Sequence, residues 1–304
     1  MLLVHHRGAA FALASALLFG SSTPLAKDLV GDIHPILLAA VLYLSSGLGL
    51  LLVKVYQRFI PNGRRSTSTS LGVSGSLWLG AAIVSGGVVA PILLMISLTM
   101  TPASTASLLL NLEGVLTAVL AWLVFSEHFD RRLALSMASI VAAAAMLSWQ
   151  GQPSFTTLLG PVLVVTACLA WAIDNNLTRK VSSSDPVTIA MVKGLVAGAF
   201  NLSVAISIGV DQADPRAIGA ASLVGVINYG ISNVLFILAL RELGTARTAA
   251  YYSTAPFFGA LIALTVLREP MTTSFFAAAA LMGFGVLLQL TQRRSSTPRS
   301  SRDT

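Results

Sequence analysis

Ten times along its 304 residues this chain runs for roughly 20 residues with little but apolar side chains, the length an α-helix needs to cross the hydrocarbon core of a bilayer. The runs fall at about 8–26, 35–56, 74–98, 102–125, 132–149, 158–177, 186–209, 217–239, 246–267 and 273–290. Pro35, Pro102 and Pro186 stand at the starts of runs, where a missing N–H costs nothing because it had no intrahelical partner. Only 10% of the residues are charged, against about 25% in a soluble domain, and the mean hydropathy is +0.80. These properties predict an all-α polytopic membrane protein. The first residues, MLLVHHRGAAFALASALLFGSS, have the make-up of a secretory signal, with Arg7 ahead of an apolar run. With nine more runs behind it, this segment is expected to stay as an uncleaved first helix.

The formal charge of +7 is scattered singly or in pairs between the runs, a pattern of membrane loops rather than of a nucleic-acid surface. With the N-terminus on the cytoplasmic side, fifteen of the 19 Lys and Arg fall on that side: Arg7, Lys54, Arg58, Arg64, Arg65, Arg131, Arg132, Arg179, Lys180, Arg241, Arg247 and four in the tail. Lys27, Arg216 and Arg268 fall opposite, and Lys193 lies within a run. The excess of basic residues inside predicts ten spans and two cytoplasmic termini in a bacterial-type inner membrane. The tail RRSSTPRSSRDT, residues 293–304, is basic and Ser-rich and is expected to be disordered.

The runs also repeat. Ser97–Glu127 lies over Ala239–Glu269 at a constant shift of 142, so that Glu127 matches Glu269 and Gly114 matches Pro256. LFGSSTPLAKDL (Leu18–Leu29) lies over AWAIDNNLTRKV (Ala170–Val181), pairing Lys27 with Arg179 and Phe19 with Trp171. The expected division is a first five-span repeat over 1–150, a second over 151–292 and the tail. An odd number of spans in each half forces the halves into opposite orientations, the architecture of many secondary carriers, whose sites lie near the midplane between the halves.

This layout resembles the EamA-like branch of the drug/metabolite transporter superfamily: ten spans in two halves, a small-residue first helix of the LFGSSTPLAK type, and Glu127 and Glu269 closing the fourth span of each half. The resemblance covers about residues 8–290. It implies a ten-helix inner-membrane carrier, commonly an exporter of amino acids or other small metabolites, with a central cavity lined by both halves. A tryptophan expected beside the first-helix glycine is replaced by Phe19, and Trp171 holds the equivalent place in the second half.

Ionisable groups inside a span cost about 2.5–3.5 kcal/mol at the helix centre and are functional candidates by default. Glu113 is the clearest, roughly 16 Å along the fourth span from Pro102. A carboxyl at that depth faces a wet cavity, pairs with a cation or is protonated, and one that titrates suits proton coupling. Its counterpart in the second half is Ala255, so such coupling would reside in one half only. On the same helix Ser104, Ser107, Asn111, Gly114 and Ala118 form a small-residue stripe suited to close helix packing, with Asn111 as a further site candidate. The face of Trp171, Asp174, Asn175 and Thr178 combines an aromatic platform with polar anchors, the mixture of a small-molecule site. Lys193 enters the membrane from the same side as Asp174, at nearly the same depth, which predicts an Asp174–Lys193 pair. In the eighth span Asn228, Tyr229, Ser232 and Asn233 interrupt an apolar helix beside Gly225 and Gly230. Tyr251 and Tyr252, and Ser85–Gly86–Gly87 with Pro91, are weaker cavity or kink candidates.

No HExxH, Cys cluster or phosphate-binding Gly loop occurs in the sequence, His5, His6, His34 and His128 lie at loops or termini, and Cys168 is the single cysteine. No cofactor and no metal are expected, and energy for uphill transport would come from a gradient. The predicted function is a secondary carrier moving a small polar or amphipathic metabolite by alternating access. Its partners would be that small molecule, the lipid bilayer and protons but no nucleic acid, and it would act as a monomer or homodimer. The alternatives are a lipid-carrier flippase, which would open laterally, and an intramembrane enzyme, which would need a second midplane acid, base or nucleophile beside Glu113.

Overall fold

The computed structural model describes residues 2–59, 73–125, 131–149, 155–181, 185–210, 212–243, 248 and 251–291. Glu127, His128, Arg64, Arg65, Arg247 and the tail 293–304 lie outside the described residues, as do the side chains of His5, His6, Arg58, Arg179 and Arg241. All regular structure among the described residues is helical. The first span is Leu2–Leu29 and the second Pro35–Phe59. The third joins Val73–Ala82, a π-helical segment Ile83–Val89 and Ala90–Leu98. The fourth is Ala103–Leu109 followed by Leu112–Phe125, and the fifth Arg131–Ser148. The second half repeats this order: Phe155–Arg179, Pro186–Ser207, then Pro215–Val224 with a π-helical Gly225–Ile231 and Ser232–Leu243. The ninth span ends in Ala255–Thr265 and the tenth is Thr273–Thr291. Eight of the spans are individually long and apolar enough to cross a membrane, and two shorter apolar helices, Ala255–Thr265 and Thr273–Leu288, complete the ten.

The repeat seen in the sequence is now visible in irregularities of the helices. The two π-helical segments are related by the same shift of 142, and in both a backbone N–H reaches five residues back, Ala90 to Ser85 O and Ser232 to Ile227 O. Each fourth span is also broken within one residue of the matching place, at Leu110–Asn111 in the first half and Ser253–Thr254 in the second. The fourth run is thus two helices rather than one, and the break falls before Gly114 rather than at it.

Packing follows the same two-fold logic. The second span packs along the seventh and the fifth along the tenth, each contact joining a span to its own counterpart. The first span lies against the eighth and ninth, and its counterpart, the sixth, lies against the third and fourth. The crossing of spans two and seven is so close that a Cβ on Gly47 would lie 2.5 Å from the Leu195 nitrogen, and one on Gly194 2.9 Å from Gly47 Cα. Small residues at a crossing let backbones meet, the usual means of association where lipid removes the hydrophobic drive between helices.

Buried Leu38, Leu42, Met95, Leu98, Leu108, Leu109, Ile140 and Met282 join both halves in one core. Leu52, Trp78, Leu123, Val162, Phe200, Leu223 and Leu287 stand exposed around the outside. So much outward apolar surface suits hydrocarbon and not water.

Candidate functional site

The break in the fourth span determines where Glu113 sits. Asn111 donates to Leu108 O at 3.0 Å, closing the first helix. The second helix starts at Leu112, so Glu113 occupies its first turn, where unpaired N–H groups and the helix dipole favour a carboxylate. Asn111 itself is buried and reaches Met282 Sδ at 3.8 Å in the tenth span, so it serves the break and the core there. The stripe expected on this helix divides at the break. Ser104, Ser107 and Asn111 are buried, whereas nothing would lie within 4 Å of a Cβ on Gly114. The first half of the stripe does pack closely: a Cβ on Gly259 of the ninth span would lie 2.7 Å from Ser107 Oγ and 2.6 Å from Gly20 O.

Glu113 Oε1 accepts from Asn175 Nδ2 at 2.8 Å, and the same amide reaches Thr117 Oγ1 at 3.3 Å. The carboxyl therefore has a neutral partner. Asn175 is exposed about one turn before the end of the sixth span at Arg179. Val162, Thr166, Leu169 and Ile173 are the lipid-facing stripe of that helix, and at 100° per residue Asn175 projects from the opposite side. Its exposure is therefore away from the lipid-facing stripe.

The expected Asp174–Lys193 pair is present. Lys193 Nζ donates to Asp174 Oδ1 at 2.6 Å and Oδ2 at 2.5 Å, and Thr178 Oγ1 donates to Oδ1 at 2.8 Å. Asp174 is 4% exposed. The pair fits because the facing residue on the third span is Gly86, where any Cβ would collide with the Asp174 carboxylate. The π-helical turn leaves carbonyls available on this side, and three side chains use them. Trp171 Nε1 donates to Gly86 O at 2.9 Å, Tyr43 Oη to the same oxygen at 3.1 Å, and Asn201 Nδ2 to Gly87 O at 3.1 Å. Trp171 is thus anchored by its indole N–H and presents its ring, while Asp174, Asn175 and Thr178 divide between the ion pair and Glu113.

At the matching π-helical segment of the second half, Asn228 Nδ2 donates to Leu18 O at 2.7 Å and to Ser21 Oγ at 2.6 Å in the first span. Ser232 bonds Ser15 in both directions. Asn228 is therefore a helix-to-helix tie, and Asn233, one turn on, lies outside this network. Tyr229 stacks edge-on with Phe19 at 5.9 Å and lies 5.7 Å from Tyr43, and Tyr252 lies 5.6 Å from Phe19 and 4.8 Å from Phe236. Phe19, Tyr43, Phe236 and Thr117 were not singled out from the sequence as site residues. Single aromatic residues in apolar spans carry little signal until neighbouring helices bring the rings together.

Two further contacts tie span ends on the side away from the N-terminus, the first of them between the halves. Glu269 accepts from Ala103 N at 2.6 Å and Ser104 N at 2.8 Å, capping the fourth span, whose own N-cap residue is Pro102. Arg268, at φ 53°, turns the chain into that position. Lys27 Nζ donates to Leu98 O at 2.5 Å and Thr101 O at 3.2 Å, closing the end of the third span. On the opposite side Asp185 caps the seventh span and pairs with Lys54 at 3.2 Å. Burial alone would raise the Asp185 carboxyl, but hydrogen bonds from Thr188 and Lys54 and the Lys54 charge outweigh it and hold the carboxyl below the usual range.

Broken and π-bulged helices in two five-span repeats are the fold of an inverted-repeat membrane transporter. The chain belongs to the EamA-like transporter family, whose model matches residues 6–149 and again residues 158–291. It is similar to a protein of Methanothermobacter thermautotrophicus described as an uncharacterized transporter, with 27% identity over 289 residues, covering 91% of this chain and 84% of that protein. A solved crystal structure of a protein 15% identical in sequence superposes with a TM-score of 0.68, covering 96% of this chain and 98% of that one, a likeness of fold. The protein is a multi-pass membrane transporter.

Proposed function

We propose that this transporter is a secondary carrier working by alternating access, in which the repeats 1–150 and 151–292 rock about the Glu113 region and export a small polar or amphipathic metabolite. Both termini lie in the cytoplasm of a bacterial-type cell, and protons drive the cycle through Glu113. One observation carries the reading: a carboxyl at a helix break, hydrogen-bonded by an exposed amide that faces away from the lipid-facing stripe. A charge placed there costs several kcal/mol less when solvated from that side or by the dipole of the second half-helix than in lipid, so it can exchange a proton within the cycle. Trp171, Asn175, Tyr229 and Tyr252 line the substrate path. Asp174 with Lys193 and Asn228 with Ser21 hold the helices that carry them, and Asn111 and Asn233 stay outside the path. Glu113 has no acidic counterpart at Ala255, so coupling uses one half of a symmetric frame.

The test is proton flux in proteoliposomes on addition of candidate metabolites, with the native protein and with Glu113→Gln. A metabolite-driven flux that disappears in the variant, while its thermal unfolding stays unchanged, is the expected result. Flux unaffected by the substitution would remove Glu113 from coupling and leave the carrier standing.

A further inference from the structure

A cavity of about 360 Å³ opens on the side away from the N-terminus, far along the chain from Glu113 and its partners. Its wall combines the start of the fourth span (Ser104, Thr105), the end of the fifth (Met146, Trp149) and the start of the tenth (Thr272, Phe275). The volume falls within the roughly 300–1,000 Å³ of small-molecule sites. We propose that this cavity is a lipid site: it seats the glycerol–ester region of a phospholipid from the leaflet on that side, with an ester carbonyl accepting from the Ser104 and Thr105 hydroxyls.

Depth is the first observation. Every helical residue in the wall lies within three residues of a helix end, so within roughly 5 Å of it along the axis. The layer between hydrocarbon and water on each side of a bilayer is roughly 5–8 Å thick. Phospholipid ester groups lie in that layer, level with the cavity.

The second observation is independent of depth. Ser97, Ser139, Ser148 and Thr166 each donate to a carbonyl three or four residues back in their own helix. Ser104 and Thr105 stand in a first turn, and behind them the chain leaves helical geometry at Pro102, ψ 142°. They are 3% and 4% exposed, line the cavity, and have no partner for the hydroxyl among the described residues. The other lining hydroxyls, Thr272 and Ser274, are bonded to each other at 3.0 Å, and Thr272 also accepts from Phe275 N. Two nearly buried donors therefore face the cavity without an acceptor, and leaving such groups unpaired is costly.

Charge and exposure select the ligand. Among the described residues no charged side chain lines the cavity, so the group seated there is uncharged. Glu269 is spent on the Ala103 and Ser104 N–H groups. Exposed Arg268 stands two residues before the lining Pro270, within about 7 Å of chain, where a phosphate beyond the ester would meet it. Trp149 is 66% and Met146 37% exposed, so the rim is apolar surface of the fifth span along which an acyl chain can run. A Trp at a span end is commonly a water-line anchor alone; here it also walls a cavity that holds free donors. The wall draws on both repeats, so a seated lipid ties the same two segments that Glu269 joins as a cap.

The experiment uses the full-length protein, delipidated in detergent and titrated with dioleoylphosphatidylglycerol, with bound lipids counted by native mass spectrometry and thermal unfolding followed alongside. One lipid should be retained at lower concentration than all later ones and should raise the unfolding temperature. The dialkyl ether analogue, with the same headgroup and no ester carbonyls, should be retained about tenfold less well, and so should the ester lipid by Ser104→Ala/Thr105→Val. Ser274→Trp, at an exposed position on the cavity, should remove the first site while the lipid-free protein melts as the native does. Thr166→Val, on the lipid-facing stripe of the sixth span, should change nothing. No lipid held more tightly than the later ones, equal retention of ester and ether lipids, or retention indifferent to both cavity variants each overturns the assignment. Glu113 is untouched throughout, so the lipid site and proton coupling stand or fall separately.

Discussion

Replacing Lys193 by Met should damage the protein more than replacing both members of its pair. In the native protein Lys193 holds both oxygens of a carboxylate whose side chain is 6% exposed, with its own side chain 19% exposed. Removing the lysine leaves Asp174 with Thr178 alone, against the Gly86 niche and away from water. Breaking a buried pair in this way costs about 3–5 kcal/mol, whereas replacing both members by neutral groups of similar shape is close to neutral. In the double variant Asp174→Asn/Lys193→Met the amide can still accept from Thr178, so a net loss of about 1 kcal/mol is expected. At roughly 2–4 °C per kcal/mol the single variant should unfold at least about 6 °C lower, and the double variant within about 4 °C of native. Thermal unfolding in detergent, followed by exposure of the buried Cys168 thiol to a maleimide dye, measures both. A single variant as stable as the native protein, or a double variant no better than the single, would refute the closed, low-dielectric pair seated against Gly86.

Other consequences follow from the same contacts. Glu269→Ala removes both acceptors from the start of the fourth span and should cost about 1–2 kcal/mol, read in the same melts, with Glu269→Gln recovering part. Gly47→Leu should prevent assembly of spans two and seven, seen as aggregation in size-exclusion chromatography, while Gly80→Ala, with nothing within 4 Å, should be tolerated. Asp185 is depressed in the folded state, so its contribution is complete above the unfolded carboxylate value of about 3.9 and is lost as pH falls through the lower folded value. Melts of native protein and Lys54→Met should therefore differ at neutral pH and converge below that range.

The spans and the repeat were legible because both rest on one-dimensional quantities, apolar length and a constant shift. The Asp174–Lys193 pair was legible too, since depth in a membrane can be counted from the helix end at a fixed rise per residue. What sequence left unread depends on helices meeting. Tyr43, Phe19 and Phe236 join one series of ring contacts only when the first, second, eighth and ninth spans are placed side by side. Ser85–Gly86–Gly87 stood out as a kink and Gly225, Asn228 and Gly230 as an interruption, but the π-helical form of both segments was not legible, and the break at Leu110–Asn111 carries no proline, so the fourth run read as one helix. Glu269 read as a helix-end residue, and its action as a cap for the opposite repeat needed the turn at Arg268 to be seen.

The central claim is that the space beside Glu113 and Asn175 opens to one side of the membrane at a time. It is tested most directly by placing a cysteine at position 175, Asn175→Cys, in a Cys168→Ser background. Labelling by a membrane-impermeant thiol reagent is then followed from each side of oriented vesicles, with and without an imposed pH gradient. Alternating access predicts labelling from one side at rest and a shift toward the other side under the gradient. Labelling solely by a lipid-soluble reagent, or from one side under every condition, would contradict it.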